Sequence, residues 1–218
     1  MSQVSQIKVG STTYNIRDDV HTWGGRNLIW NSGAFQTTDY WAKNGATTLE
    51  VVTVDGYKCL HATGTSNSSI TGTGSTGYPN LCIHLKPSTT YKYHAWIKFA
   101  AACAIGGTTP LHLWVYKTNS VNSIGASNSA WTSVSQIAYD AAGTSYTTAP
   151  ANTWVHIVCT FTTVAATTDY PYINFRPFVY GNYVNTANSE YWLRSVKLEE
   201  GNKPTDWSPA PEDLAYVS

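Results

Sequence analysis

The chain has 218 residues, 13 Lys+Arg balanced by 13 Asp+Glu, and only 12% charged against 13% aromatic residues. Zero net charge leaves no cationic field to neutralise phosphates, which argues against nucleic-acid binding, and no apolar run reaches membrane-spanning length. Ser, Thr, Asn and Gly fill the gaps between short apolar runs, a balance that suits short strands joined by polar turns, and the length is enough for one large sandwich or one domain with a small appendage.

Residues 1–24 read separately from the rest. Ile7 and Val9, then Gly10-Ser11, then Tyr14 and Ile16 predict a miniature hairpin, and Arg17-Asp18-Asp19 opens a polar connection to Gly24-Gly25. A lone two-stranded hairpin is marginal in water, so this arm either lies on its own domain or attaches to another protein. From residue 27 the pattern predicts nine strands, at 27–31, 48–54, 57–63, 80–86, 90–99, 111–117, 153–162, 171–180 and 190–198. No segment sustains a helical period. Residues Ser120–Tyr146 read as a long polar loop carrying Trp131 and Tyr139, the form a functional loop often takes. After the last strand, Gly201 and the prolines 204, 209 and 211 forbid a helix and mark an exit.

Period-two alternation assigns faces. In 111–116 the odd positions Leu111, Leu113 and Val115 are core formers, which sends His112, Trp114 and Tyr116 outward. In 91–99 the odd set Tyr91, Tyr93, Ala95, Ile97 and Phe99 is core, leaving Lys92, His94, Trp96 and Lys98 outside. In 172–180, Ile173, Phe175 and Val179 are core; Tyr172, Asn174, Arg176, Phe178 and Tyr180 face out, as His84 does from its own strand.

Several motifs resemble those of carbohydrate-binding-module-like β-sandwich domains in tail and fibre proteins of bacteriophages and prophages. The opening Gly25-Arg26-Asn27-Leu28-Ile29-Trp30-Asn31-Ser32-Gly33-Ala34-Phe35 with Tyr40-Trp41, and the ending Val196-Lys197-Leu198-Glu199-Glu200-Gly201 through Thr205-Asp206-Trp207-Ser208 to Asp213, match such domains and bracket residues 25–213. The corner Lys86-Pro87-Ser88-Thr89-Thr90 and the run from Asn152-Thr153-Trp154 to Thr160-Phe161-Thr162 are further matches. The resemblance implies a jelly-roll sandwich of two antiparallel sheets over 25–213, an attachment arm at 1–24 and a tail at 214–218. It also implies a virion protein, assembled in the bacterial cytoplasm, whose arm meets other virion proteins and whose oligomer is a trimer. Many such modules hold a structural calcium near the first strand, with paired aspartates in the last. Here that strand reads Leu193-Arg194-Ser195-Val196, so no cofactor is expected, and a calcium ion only near Asn31 to Phe35.

Sugars offer flat C–H patches ringed by hydroxyls, which Trp and Tyr rings stack on and Asn, Arg and His hydrogen-bond. His112, Trp114, Tyr116, Trp131, Arg176 and Tyr180 supply that mixture and are the expected glycan-binding residues; the alternative is that these rings pack under loops or in a subunit interface. The expected function is therefore non-enzymatic recognition of host-surface glycans. A purely structural spacer or capsid decoration protein and an accessory domain of a polysaccharide-degrading enzyme are the alternatives. Catalysis has little support, since between Asp55 and Glu190 only Asp140 and Asp169 are acidic. Gly72-Thr73-Gly74-Ser75-Thr76-Gly77 leads into Tyr78-Pro79 and not a helix, so it is a turn and no dinucleotide site. Cys59, Cys82, Cys103 and Cys159 lack metal-site spacing and read as mostly buried thiols, with a disulfide left open.

Overall fold

The computed structural model describes residues 6–9, 12–15, 25–33, 35–44, 46, 48–64, 69–71, 82–120, 129–181, 189–208 and 210. The Gly72–Gly77 turn and the tail 214–218 lie outside the described residues. The strands are β1 (Gln6–Val9), β2 (Thr12–Asn15), β3 (Ala42–Asn44), β4 (Thr48–Val54), β5 (Tyr57–Gly64), β6 (Ser69–Thr71), β7 (Ile83–Leu85) and β8 (Thr90–Phe99). They continue as β9 (Cys103–Ala104), β10 (Leu111–Thr118), β11 (Trp131–Tyr139), β12 (Ser145–Tyr146), β13 (Thr148–Ala149), β14 (Trp154–Thr163), β15 (Tyr172–Tyr180) and β16 (Ser189–Glu200). No helix occurs among the described residues.

The arm forms the expected hairpin, β1 pairing antiparallel with β2 from Gln6↔Asn15 to Val9↔Thr12. The remaining long strands form two antiparallel sheets. The long one has seven strands in the order β12-β11-β14-β8-β16-β5-β4; the short one has five, β10-β15-β6-β3, with β7 also on β15. The alternation read from sequence is what joins them. Tyr91, Tyr93, Ala95, Ile97 and Phe99 of β8 and Val155, Ile157, Cys159 and Phe161 of β14 are buried with Leu111, Leu113, Val115, Ile173, Phe175 and Val179 of the short sheet. Two tyrosines of the long sheet reach across this core: Tyr93 Oη donates to the Phe178 carbonyl and Tyr191 Oη to that of Val179, both at 3.2 Å. Each buried hydroxyl is thereby satisfied on the opposite layer.

Two expectations need correction. Residues 27–31 are not a strand. β16 pairs with β5 only through Leu193, and a bulge follows, with Ser195 at φ 52°. Beyond it, the vacated edge is taken by the opening segment: Leu28 N–H donates to Leu198 O (2.9 Å) and Val196 N–H to Ser32 O (2.6 Å). Asn31, at φ 43°, turns the chain away before a ladder can form. Secondly, the supposed loop Ser120–Tyr146 contains β11 and β12. Few of β11's side chains are buried, and it is broken by a register shift between Thr132 and Ser135, so its sequence lacks clean alternation. Of the predicted strand 80–86 only β7 is found, residues 80 and 81 lying outside the described ones.

The two bracketing motifs meet as one clasp. The fully buried Asn27 amide donates to Ser32 Oγ (2.8 Å) and Val196 O (3.0 Å) with Ser208 O at 3.2 Å. Its Oδ1 accepts from the N–H of Ile29 (3.0 Å) and Leu198 (3.2 Å). Ser208 Oγ donates to Gly25 O (3.2 Å), and a Cβ on Gly33 would stand 1.9 Å from the Trp207 ring, so only glycine fits there. All four cysteines are free thiols, Cys59, Cys103 and Cys159 buried and Cys82 half-buried. Burial pushes the Cys59 thiol up to about 11 and Cys159 to about 12, which keeps both protonated and inert.

Candidate functional site

The outer face of the short sheet gathers five of the six expected residues. β10 is its edge strand, and its register on β15 sets His112 opposite Phe178, Trp114 opposite Arg176 and Tyr116 opposite Asn174. The Arg176 guanidinium lies over the Trp114 ring, 5.3 Å from its centroid. Phe178, 3% exposed, is the hub: Trp114 meets it edge-on at 5.1 Å, His112 at 5.5 Å, and Tyr180 lies 4.9 Å away. His112 and Tyr180 also meet edge-on at 5.3 Å. Asn174 is fully buried, Oδ1 against His84 Nδ1 (2.8 Å) and Nδ2 donating to Ser120 O (3.2 Å). Trp131 does not join them; it opens β11 on the other sheet, opposite Thr163, and packs on the core.

Electrostatically this sheet is one-sided. Its five strands contain Lys43, Lys117 and Arg176 and not one Asp or Glu. Among the described residues Arg176 Nε and His112 Nδ1 are buried with no hydrogen-bond partner, as are Arg194 Nε and Trp207 Nε1 away from this sheet. Burial lowers the His112 pKa, opposed by a backbone hydrogen bond at Thr108, so the imidazole is neutral at pH 7. Burial raises the Cys82 thiol, and the adjoining Arg176 charge and hydrogen bond oppose that rise. Because β10 is an edge strand, Arg176 takes one face of the Trp114 ring, and no other described ring or cation stacks on it.

The outer face of the long sheet carries a second aromatic group that sequence reading did not assemble. Trp96 and Lys98 were placed outward, but only the register reveals the rows His156–Trp96–Arg194 and Trp154–Lys98–Trp192–His61. His156 stacks on Trp96 (5.2 Å) and His61 on Trp192 (5.1 Å). The Arg194 guanidinium lies 3.8 Å from the Tyr57 centroid, 4.8 Å from that of Trp154 and 4.9 Å from that of Trp96. The β4–β5 turn curls over this group: Asp55, at φ 52°, accepts from Lys98 Nζ (3.0 Å) and Trp154 Nε1 (2.9 Å). Those two bonds hold its carboxyl below the ordinary value.

Farther along the same face His94, Lys197 and Glu199 are buried under the exit segment. Glu199 accepts from Thr205 N–H (2.7 Å) and Oγ1 (2.5 Å) and lies 3.1 Å from His94 Nε2 and 3.2 Å from Lys197 Nζ. Burial alone would raise its pKa; the hydrogen bonds from His94 and Thr205 and the Lys197 charge outweigh that and lower it.

The acids considered for catalysis are otherwise engaged or isolated. Asp140 accepts from the N–H of Ala142 (2.9 Å) and Thr144 (2.8 Å) and from Tyr146 Oη (3.0 Å), closing its own turn. Asp169 is exposed. At the expected calcium position Asn31 Nδ2 donates to the carbonyls of Thr37 (3.1 Å) and Asp39 (2.7 Å). No group of three His, Cys, Asp or Glu able to hold a metal stands together among the described residues.

No family model matches the chain, and no curated protein does. Solved structures similar to it include a candidate sugar-binding protein from Bacteroides thetaiotaomicron (11% identity, TM-score 0.45, covering 81% of this chain and 100% of that one). An arabinose-bound α-L-arabinofuranosidase (14%, TM-score 0.45) covers 84% of this chain, which spans 28% of the enzyme. The baseplate tripod of bacteriophage Tuc2009 (14%, TM-score 0.42) covers 87% of this chain and 60% of its own. At such scores and identities these likenesses assign the chain neither a family nor a ligand.

Proposed function

We propose that the chain is a non-catalytic carbohydrate-binding β-sandwich whose site is the outer face of the short sheet. The observation that carries this reading is the convergence of Trp114, Tyr116, His112, Arg176 and Tyr180 on one face at an edge strand. A sugar stacks on the side of Trp114 turned away from Arg176, and Arg176, on the ring's other face, hydrogen-bonds the adjoining unit of the chain beside His112. In keeping with the motifs at both ends of the sandwich, the setting is a bacteriophage or prophage tail or fibre, where the glycan belongs to the host surface. Weak single sites gain from repetition on one particle, which suits a trimer held to other virion proteins through residues 1–24.

The experiment is binding of the assembled protein to a glycan array and to whole bacterial cells, with Trp114→Ala alongside. The substitution is expected to weaken binding by about tenfold or more, as loss of a ring at the centre of a contact does. A wild-type protein that binds no glycan and no cell, or a Trp114→Ala variant that binds as well as wild type, removes the reading.

A further inference from the structure

We infer that the ligand of the short-sheet face is an acidic glycan, one bearing a carboxylate such as a hexuronate or sialate unit, and that Arg176 is the residue that selects it. The inference rests on the carbohydrate-binding reading above and names its substrate class.

Charge distribution is the first argument. Every described carboxylate lies elsewhere: Glu50, Glu190, Glu199 and Glu200 on the long sheet, Asp55, Asp140 and Asp169 in turns, Asp39 in the opening segment and Asp206 in the exit. On the long sheet Lys98 has Asp55, Lys197 has Glu199, and His61 lies between Glu50 and Glu190. Arg176 makes no ion pair among the described residues; nor does Arg194 of the long sheet, but three rings enclose that guanidinium. Arg176 stands instead over the Trp114 ring, with the Cys82 thiol at its side. A guanidinium in an apolar surround attracts an anion far more strongly than one in water.

Hydrogen-bond accounting is the second. Arg176 Nε–H is buried and unpartnered among the described residues, as are His112 Nδ1 and, away from this sheet, Arg194 Nε and Trp207 Nε1. Being shut off from solvent, the Arg176 Nε is not itself open to a ligand, so recognition falls to the terminal N–H groups of the guanidinium. The ligand group best matched to that fork is a planar carboxylate, which accepts two parallel N–H bonds. A neutral sugar hydroxyl meets one donor only and leaves the charge uncompensated. Trp114, stacked on the other side of the same guanidinium, fixes the plane in which that carboxylate must lie. Stacking and charge recognition are thereby combined in adjoining side chains of two paired strands.

The test uses an array of hexuronate- and sialate-containing oligosaccharides together with carboxyl-reduced forms of the same chains, in which –COO⁻ has become –CH2OH and nothing else differs. Wild-type protein is expected to bind at least one acidic chain about tenfold or more tightly than its reduced form, with the preference shrinking as salt is raised. Arg176→Gln should bring acidic and reduced forms to equal affinity, and Arg176→Lys should keep part of the preference, charge without the fork. Thermal melting of both variants separates a lost contact from a lost fold. Equal binding of acidic and reduced chains by the wild type overturns the inference while the carbohydrate-binding reading stands. Binding of neither form by a protein that binds other glycans or whole cells overturns the inference alone, and binding of no glycan and no cell overturns both. A wild-type preference that a folded Arg176→Gln variant retains also overturns it, because the carboxylate is then read elsewhere.

Discussion

The two outer faces of this sandwich carry nearly the same residue types, Trp, Tyr and His around an Arg, yet the faces are in opposite states. On the long sheet the aromatic strands are central, so every ring stands between two neighbours. His156 and Arg194 flank Trp96, and His61 and Lys98 lie against Trp192. Asp55 joins Lys98 and Trp154 of this group, while Arg194, whose Nε is buried and unpartnered among the described residues, is enclosed by three rings. On the short sheet the same chemistry sits at an edge strand, where Arg176 covers Trp114 from one side and no carboxylate answers the charge. Outward aromatic residues therefore do not mark a binding face by themselves. Strand position and the number of rings that enclose the cation do.

That contrast predicts that the long face governs stability and the short face governs binding. The largest effect is expected at the buried pair under the exit: Glu199→Gln leaves Lys197, 1% exposed, without its counter-charge and should lower unfolding free energy by roughly 3 to 5 kcal/mol in denaturant titration. Next comes pH. Burial, helped by the nearby His94 and Arg194 charges, pushes the His156 pKa down to about 4 from 6.5, so the unfolded chain binds a proton that the folded one excludes. Stability should fall as pH drops from about 6.5 to about 4, by at most roughly 3 kcal/mol, and His156→Gln should flatten that window in melts across the pH series. The lowered Glu199 carboxyl acts in the same direction, its contribution fading as pH falls below the ordinary carboxylate range. Arg194→Met, which removes a cation from three rings, should cost about 2 kcal/mol and leave glycan binding unchanged. The smallest stability change, within about 1 kcal/mol, is expected for Trp114→Ala, the substitution that should weaken binding most. A large stability loss there, with Arg194→Met silent, would reverse the assignment of the two faces.

Long strands with one buried face were legible. β4 and β8 begin and end where alternation put them, and the outward sets of β10 and β15 are those that share a sheet. Alternation reports only which face a residue takes, so register stayed hidden, and with it the Trp96–Arg194 and Trp154–Lys98–Trp192 rows formed by strands far apart in sequence. β11 was missed because a bulged strand flanked on its outer side only by the two-residue β12 buries little and reads as polar loop. Trp131, plausible as a loop residue, proved to begin that strand. Asn27 stands in the opening motif but its role was hidden, since three of its five hydrogen-bonding contacts run to residues about 170 to 180 positions away, Val196, Leu198 and Ser208.

The Asn27 clasp also fixes where the sandwich can be held. Gly25 and Ser208 are hydrogen-bonded neighbours, so the chain enters and leaves at one doorway and the sheets hang from it. Such a unit can be spliced into a surface loop of another protein without spreading that loop. Tension applied through both ends would be borne first by Asn27 and the β16 bulge, leaving the short-sheet face unloaded. Cutting within Thr205–Ser208 would release both the doorway and the lid over Glu199 in one stroke.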